Sequence, residues 1–378
     1  MTWAARIRAP FIVLALFTVL AGDVWRYTLG YVGWGVFIGV LGVVAVAVAI
    51  GLRVELRRIP LPLLVYLAIA AASVIWSQYP GATALGVALL AIATFGGVLI
   101  ARITDRDEFV TLLGTTLKLI LAASLLFELA VSTIVRERVY PLWTDYDGEV
   151  PAAFAWSRNL LFEGGRIQGV VGNSNLLGML ALLALIVFGL QLADARSGGR
   201  DSSRHETVEP RAAAPLVGWL LIAAGTFLLT RSSTVIVATV VVAIALVLLL
   251  VARRLASRAR LVLAAATAVA AAVGVALVIA LRGPLLALLG RSEDLTGRFD
   301  IWAAVTEKAV EHPVVGWGWV GYWVPWVAPF DGLAEQDGVQ YLQAHNAWLD
   351  VWFQIGVVGL VAFAALIVVV AVRAVRDA

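Results

Sequence analysis

Apolar residues along this chain come in long unbroken runs separated by short polar interruptions, and they do not alternate with polar ones. Runs of this length predict membrane-spanning helices, because roughly 20 apolar residues are needed to cross the hydrocarbon layer. The pattern gives about ten spans, at 9–22, 28–50, 60–76, 83–101, 108–131, 174–193, 214–230, 233–252, 261–281 and 346–372. A β-barrel would show short alternating segments instead. The pattern therefore predicts an all-α polytopic membrane protein, with 1–378 as a single transmembrane domain. The first span is short and follows Arg6 and Arg8, but no small-x-small cleavage site follows it, so a retained helix is expected rather than a cleaved signal peptide.

Two interruptions are too long and too aromatic to be simple turns. One is 132–173, with Tyr140, Trp143, Tyr146 and Trp156; the other is 282–345, with Trp302, Trp317, Trp319, Tyr322, Trp323, Trp326 and Tyr341. Within the second, 296–311 reads as an amphipathic surface helix: Thr296 caps it, Phe299, Trp302, Val305 and Ala309 recur at helical spacing, and Pro313 ends it. Its apolar stripe is expected to pack rather than to hold a cofactor. The segment 194–213 instead has the composition of a linker.

Composition narrows the picture further. The chain is 62% hydrophobic and 14% charged, which excludes an ordinary soluble domain. It has no cysteine, which removes disulfides, thiolate nucleophiles and cysteine-ligated metals. Its basic balance is no sign of nucleic-acid binding, since the arginines cluster in short inter-helix loops. Arg6, Arg8, Arg53, Arg102, Arg106, Arg253, Arg254 and Arg373 all fall on one side if the N-terminus is inside, so the positive-inside rule predicts both termini in the cytoplasm. The two long loops, 132–173 and 282–345, are then extracytoplasmic.

The candidate chemistry gathers in those loops. His345 lies between a polar aromatic loop and the last apolar run, in Ala344-His345-Asn346-Ala347-Trp348-Leu349, and an imidazole there suits proton transfer. The plainer account is a structural, hydrogen-bonded histidine, with Asn346 capping the last span. Three arginines face the same side: Arg166, shortly before Asn173-Ser174-Asn175; Arg231, in the minimal turn Thr230-Arg231-Ser232-Ser233; and Arg298, at the start of the amphipathic helix. Each alone is explained by a lipid headgroup or by a salt bridge to Glu163, Glu293 or Asp300. As a set they favour a phosphate or diphosphate site, because the guanidinium fork matches phosphate oxygens. The helix start at Asn173–Asn175 would add backbone donors. His312, before Pro313, reads as a turn residue. The pair Asp145 and Asp147 is weak evidence for a divalent ion, and Lys118 is expected to snorkel or to pair within the bundle.

The segments Arg166–Asn175, Leu229–Ser233, Gly297–Trp302, His312–Gly318 and Ala344–Leu349, with Gly356 and Gly359, together resemble the O-antigen ligase and polymerase superfamily. Trp76-Ser77 before Tyr79-Pro80 fits its first-half pattern. The motifs are short, but their order and placement span nearly the whole chain. The resemblance implies a bundle like the C-type membrane glycosyltransferases and an inverting, metal-independent transfer without a cofactor. Its donor would be a polyprenyl-diphosphate-linked glycan, its acceptor a hydroxyl of a glycan or glycolipid, and its site the outer face of the bacterial cytoplasmic membrane. By the same resemblance His345 deprotonates or orients the acceptor hydroxyl, and Arg166 and Arg298 hold the diphosphate. Arg231 matches less closely, its turn being looser than the usual serine–arginine pairing, while Asn346, Asn175 and Trp302 support. Family members commonly carry further helices after the His-Asn segment. The rival expectations are a polyprenyl-linked glycan flippase, disfavoured by the scarcity of polar residues inside the spans (Lys118 and Glu128 stand nearly alone), and an inactive scaffold of an envelope polysaccharide assembly complex.

Overall fold

The computed structural model describes residues 3–55, 59–144, 150–197, 213–281, 298–336 and 339–377. Eleven helices are used below: α1 (Trp3–Leu20), α2 (Gly22–Gly51), α3 (Leu61–Ala72), α4 (Pro80–Ile103), α5 (Arg106–Ala130), α6 (Ser174–Ser197), α7 (Ala213–Thr230), α8 (Ser233–Ala252), α9 (Ser257–Ala280), α10 (Arg298–Ala309) and α11 (Ala347–Asp377). Among the described residues nine helices are long and apolar enough to cross a membrane. The chain is thus an all-α polytopic membrane protein. Each predicted span coincides with a helix. The third departs in length, since Leu61–Ile75, closed by a 3₁₀ turn, would reach only about 22 Å, short of a full crossing. Its end is fixed by Ser73, whose hydroxyl donates to Ala70 O at 2.7 Å and accepts from Trp319 N at 3.0 Å.

The chain divides into two compact units. The first comprises Met1–Leu56 and Phe95–Ile244, the second Arg57–Thr94 and Ala245–Ala378.

In the first unit α5 is the central element. Asp105 caps it by accepting from Glu108 N at 2.8 Å, and Arg8 of α1 pairs with Glu108 while donating to Ile103 O at 2.9 Å. Along α5, Leu117, Ile120 and Leu121 are fully buried against Leu177, Ala181 and Phe188 of α6 and Ala223 of α7. Lys118 lies on the same stretch and directs its ammonium at the faces of Phe188 and Trp219, 5.6 and 6.0 Å from their centroids, so it pairs within the bundle. The α5–α6 connection is folded, not slack. Val139 and Ser157 form an antiparallel bridge, and buried Trp156 donates its indole N–H to Val170 O at 2.8 Å. Trp143 donates to Arg26 O at 2.7 Å. Tyr146 and the Asp145 and Asp147 pair lie outside the described residues.

The second unit is organised around a break in α11. Ile355 and Gly356 leave helical geometry, Gly356 with φ +65°, and a Cβ at Gly356 would collide with the backbone of Val314 and Val315. The segment 313–318 fills the break. Trp317 N donates to Phe353 O (3.1 Å), Gly318 N to Gln354 O (2.8 Å), Val357 N to Pro313 O (3.0 Å) and Val358 N to Val314 O (3.2 Å). The backbone groups orphaned by the kink are thereby paired. Buried Gln354 extends the join, accepting from Val320 N and Gly321 N at 2.8 and 2.9 Å and donating to Gly321 O at 3.0 Å. Trp76 donates to Val315 O at 3.1 Å and Tyr79 to Gly318 O at 3.2 Å, which accounts structurally for the Trp76–Pro80 motif.

The amphipathic helix is present as α10. Its buried face is Ile301, Val305 and Ala309, packed with Trp317, Trp323, Phe330 and Phe353. Phe299 was expected in that stripe but is 36% exposed; it stands two residues before Ile301, away from the buried line, and meets Trp302 edge-on. Thr296, the expected cap, lies outside the described residues.

Candidate functional site

The expected residues fall into two groups, one per unit. Arg166, Asn175 and Arg231 lie in the first; Arg298, Trp302, His345 and Asn346 lie in the second.

The first group is assembled on the turn between α7 and α8. Arg166 donates through Nη2 to Asn175 Oδ1 at 2.6 Å and through Nε to Thr230 O at 3.3 Å, while Ser232 Oγ donates to the same Asn175 oxygen at 2.7 Å. Asn175 thus ties the loop arginine to the turn. Arg231 occupies the left-handed region with φ +45°, which throws its exposed side chain outward over Gly164; a Cβ there would stand 3.5 Å from Nη2. Two guanidiniums therefore flank one turn. Two of the backbone donors at the start of α6 are taken. Asn173 Oδ1 already accepts from Asn175 N and Leu176 N at 2.9 and 3.1 Å, an ordinary side-chain cap.

Beneath this group lies Glu128, only 1% exposed at the end of α5. Its carboxyl group accepts from Gln168 N (2.8 Å), Gly169 N (2.7 Å) and Ser157 Oγ (2.8 Å). The two amides come from the strand of chain directly after Arg166. Gly169, at φ +60°, has no room for a Cβ against Ser124. In the sequence Glu128 stands out only as a rare polar residue in a span. A lone carboxyl at the end of an apolar helix was the available signal.

The second group is built where α10 and α11 meet the loop between them. His345 has φ +51°, unusual for a non-glycine residue, and its exposed ring stands edge-on to Tyr341 with centroids 5.6 Å apart. Partial burial, and secondly the nearby Arg298 guanidinium, hold its pKa below the ordinary imidazole value. Arg298 and Trp302 are four residues apart on α10 and so share a face. Trp302 donates its indole N–H to Ala344 O at 2.8 Å. The other side of Ala344 is held from α11, where its N–H donates to Asp350 at 3.2 Å (Oδ1) and 3.1 Å (Oδ2), and Trp323 donates to Oδ1 at 3.0 Å. Asn346 caps α11, its Oδ1 accepting from Trp348 N at 3.1 Å and its carbonyl from Asp350 N at 3.0 Å. Asp350 and Trp323 were not foreseen; an acid in the first turn of a helix is ordinary enough to pass for dipole compensation. His312 takes a turn role, its carbonyl accepting from Gly316 N at 2.9 Å and its ring against Trp317.

Among the described residues no carboxylate pairs with Arg231 or Arg298, so the salt bridges to Glu163 and Asp300 do not form; Glu293 lies outside the described residues. The ring nitrogens of His345 have no hydrogen-bond partner among the described residues. A cationic turn in the first unit and, in the second, an imidazole beside a guanidinium offer chemistry suited to binding anions and to moving a proton.

Residues 218–364 match the O-Antigen ligase family. The chain is also similar to the Exopolysaccharide production protein ExoQ of Rhizobium meliloti (strain 1021), 30% identical over 153 residues, which is 39% of this chain and 35% of that protein. The match thus spans about a third of the length of that curated relative. No solved structure matches the chain. The likeness to the O-antigen ligase and polymerase superfamily read from the sequence is borne out by both matches. The family segment contains Arg231, Arg298, Trp302, His345 and Asn346, while Arg166 and Asn175 precede it.

Proposed function

We propose that this protein transfers a saccharide chain from a polyprenyl-diphosphate-linked donor to a hydroxyl of an acceptor glycan, as a ligase or polymerase at the outer face of the bacterial cytoplasmic membrane. The observation that carries this reading is His345: an exposed imidazole fixed in a left-handed turn, without a hydrogen-bond partner among the described residues, beside Arg298 and inside the O-Antigen ligase segment. A histidine with a lowered pKa is neutral at pH 7 and competent as a base. In this reading its ring nitrogen takes the proton of the acceptor hydroxyl as that oxygen attacks the anomeric carbon. The bond to the diphosphate oxygen breaks with inversion, and the guanidiniums stabilise the charge on the departing diphosphate. Arg166 and Arg298 serve as the holding groups, with Arg231 joining them. The arginines of the short loops support an orientation with both termini in the cytoplasm.

The flippase reading has less behind it. The carboxyl of Glu128 is occupied by three local donors and Lys118 faces two aromatic rings, so neither is a free charge along a passage. The test is glycan transfer in a strain lacking this protein, complemented with wild type or His345→Ala at matched membrane levels. Loss of transfer with donor accumulating on the outer leaflet is the expected result. Wild-type transfer by the variant would overturn the mechanism and favour transport or scaffolding.

A further inference from the structure

The residue preceding His345 is gripped through both of its backbone polar groups. The N–H of Ala344 points at the carboxylate of Asp350, and its carbonyl accepts from the indole of Trp302. Ala344 itself is fully buried, while the next residue emerges into solvent with φ +51°. A left-handed non-glycine residue costs on the order of 1–3 kcal/mol and persists only where its surroundings over-determine it. Here the surroundings are two side chains from different helices acting on one residue. Asp350 lies in the first turn of α11 and is oriented by Trp323, so it is anchored rather than free to swing.

We propose that Asp350 is a positioning residue for His345: it sets the direction of the imidazole by fixing the Ala344 amide, and takes no proton itself. The proposal rests on the transfer reading above, in which His345 is the base. The geometry separates holding from charge. Oδ1 accepts from Ala344 N and Trp323 Nε1 at 3.2 and 3.0 Å and Oδ2 from Ala344 N at 3.1 Å, so an asparagine with its oxygen at the Oδ1 place keeps the first two bonds, loses the charge and the third bond, and sets its NH2 against the Ala344 N–H. Alanine loses all three bonds. A residue acting through its charge would suffer equally from either change.

The test uses the full chain in lipid nanodiscs with ¹³C-labelled histidine, the three resonances assigned from single histidine substitutions, alongside transfer in the complemented strain. In Asp350→Ala the His345 resonance and its titration midpoint are expected to move toward those of an unconstrained histidine, with transfer falling about tenfold or more. Asp350→Asn is expected to move the resonance less than Asp350→Ala does and to lose less transfer, since the two bonds to Oδ1 remain. The double variant His345→Ala/Asp350→Ala is expected to be no slower than His345→Ala. Should Asp350→Ala fail to reach the membrane, Trp302→Phe removes the donor on the other side of Ala344, keeps the ring, and is expected to shift the same resonance. An unmoved His345 resonance in these variants, or Asp350→Asn as slow as Asp350→Ala, overturns the proposal while leaving His345 as the base. A fully active His345→Ala instead sinks the transfer reading, and a shifted resonance in Asp350→Ala then leaves Asp350 as a holder of a non-catalytic turn.

Discussion

The two groups of candidate residues, one in each unit, are held by opposite means. In the first unit permanent charges sit on connecting segments, and Arg166 is fixed by hydrogen bonds to Asn175, itself held by Ser232, and to the Thr230 carbonyl, with one buried carboxyl beneath. In the second unit the central group is titratable, and it stands on an aromatic core of Trp317, Trp323, Phe330 and Phe353 into which α10 packs. The difference suits the task assigned to each. A guanidinium needs only to be in place, because it stays charged at every relevant pH. An imidazole must also be kept in one protonation state and aimed, which calls for a rigid neighbourhood and a nearby cation.

The comparison breaks most visibly at Arg166. Arg166→Ala is expected to reduce transfer about tenfold to a thousandfold, and Arg166→Lys to remain at least about tenfold down despite its charge. Lysine cannot reproduce the separate Nε and Nη2 bonds to Thr230 O and Asn175 Oδ1. Near-normal transfer by the lysine variant would mean that charge alone suffices there. Next comes Glu128. Glu128→Ala strands two backbone amides and the Ser157 hydroxyl in a site that excludes water, at about 1–3 kcal/mol for each group left unsatisfied. Thermal unfolding in detergent should show a clear loss for alanine and a smaller one for Glu128→Gln, whose remaining oxygen still meets both amides. The smallest effect is in pH dependence. With the His345 pKa lowered, the base is neutral at pH 7 and the acid limb of the rate profile falls below the ordinary histidine range. Arg298→Gln removes one of the two causes, so the limb should move to higher pH, whatever the drop in absolute rate. A limb that stays in place would separate Arg298 from the imidazole.

The spans were legible because hydrocarbon thickness imposes a length that no other element needs, and α8 runs over the expected 233–252. His345 and the arginines were legible because charged or titratable groups stand out against an apolar chain. The supports were not. Glu128 acts on amides forty residues away, and backbone donors carry no sequence signature. Asp350 resembles any acid in a first turn until Ala344 is seen above it. The kink at Gly356 lies within an apolar run whose periodicity reads as one unbroken helix, and only the backbone of 313–318 reveals it. Phe299 shows the limit of periodicity: a pattern permits more than one apolar face, and packing with Trp317 and Phe353 chose Ile301, Val305 and Ala309.

The kink in α11 also bears on how the chain matures. Segment 313–318 is synthesised before the residues that complete its hydrogen bonds, and those residues cannot close a regular helix without it. The N–H groups of Trp317 and Gly318 and the carbonyls of Pro313 and Val314 gain these partners only once the chain has been made as far as Val358. The turn bearing His345 lies between these two partners in sequence. Its grip on Ala344 likewise needs Asp350, so the partners that hold the turn are complete only after the first turn of the last span has been made.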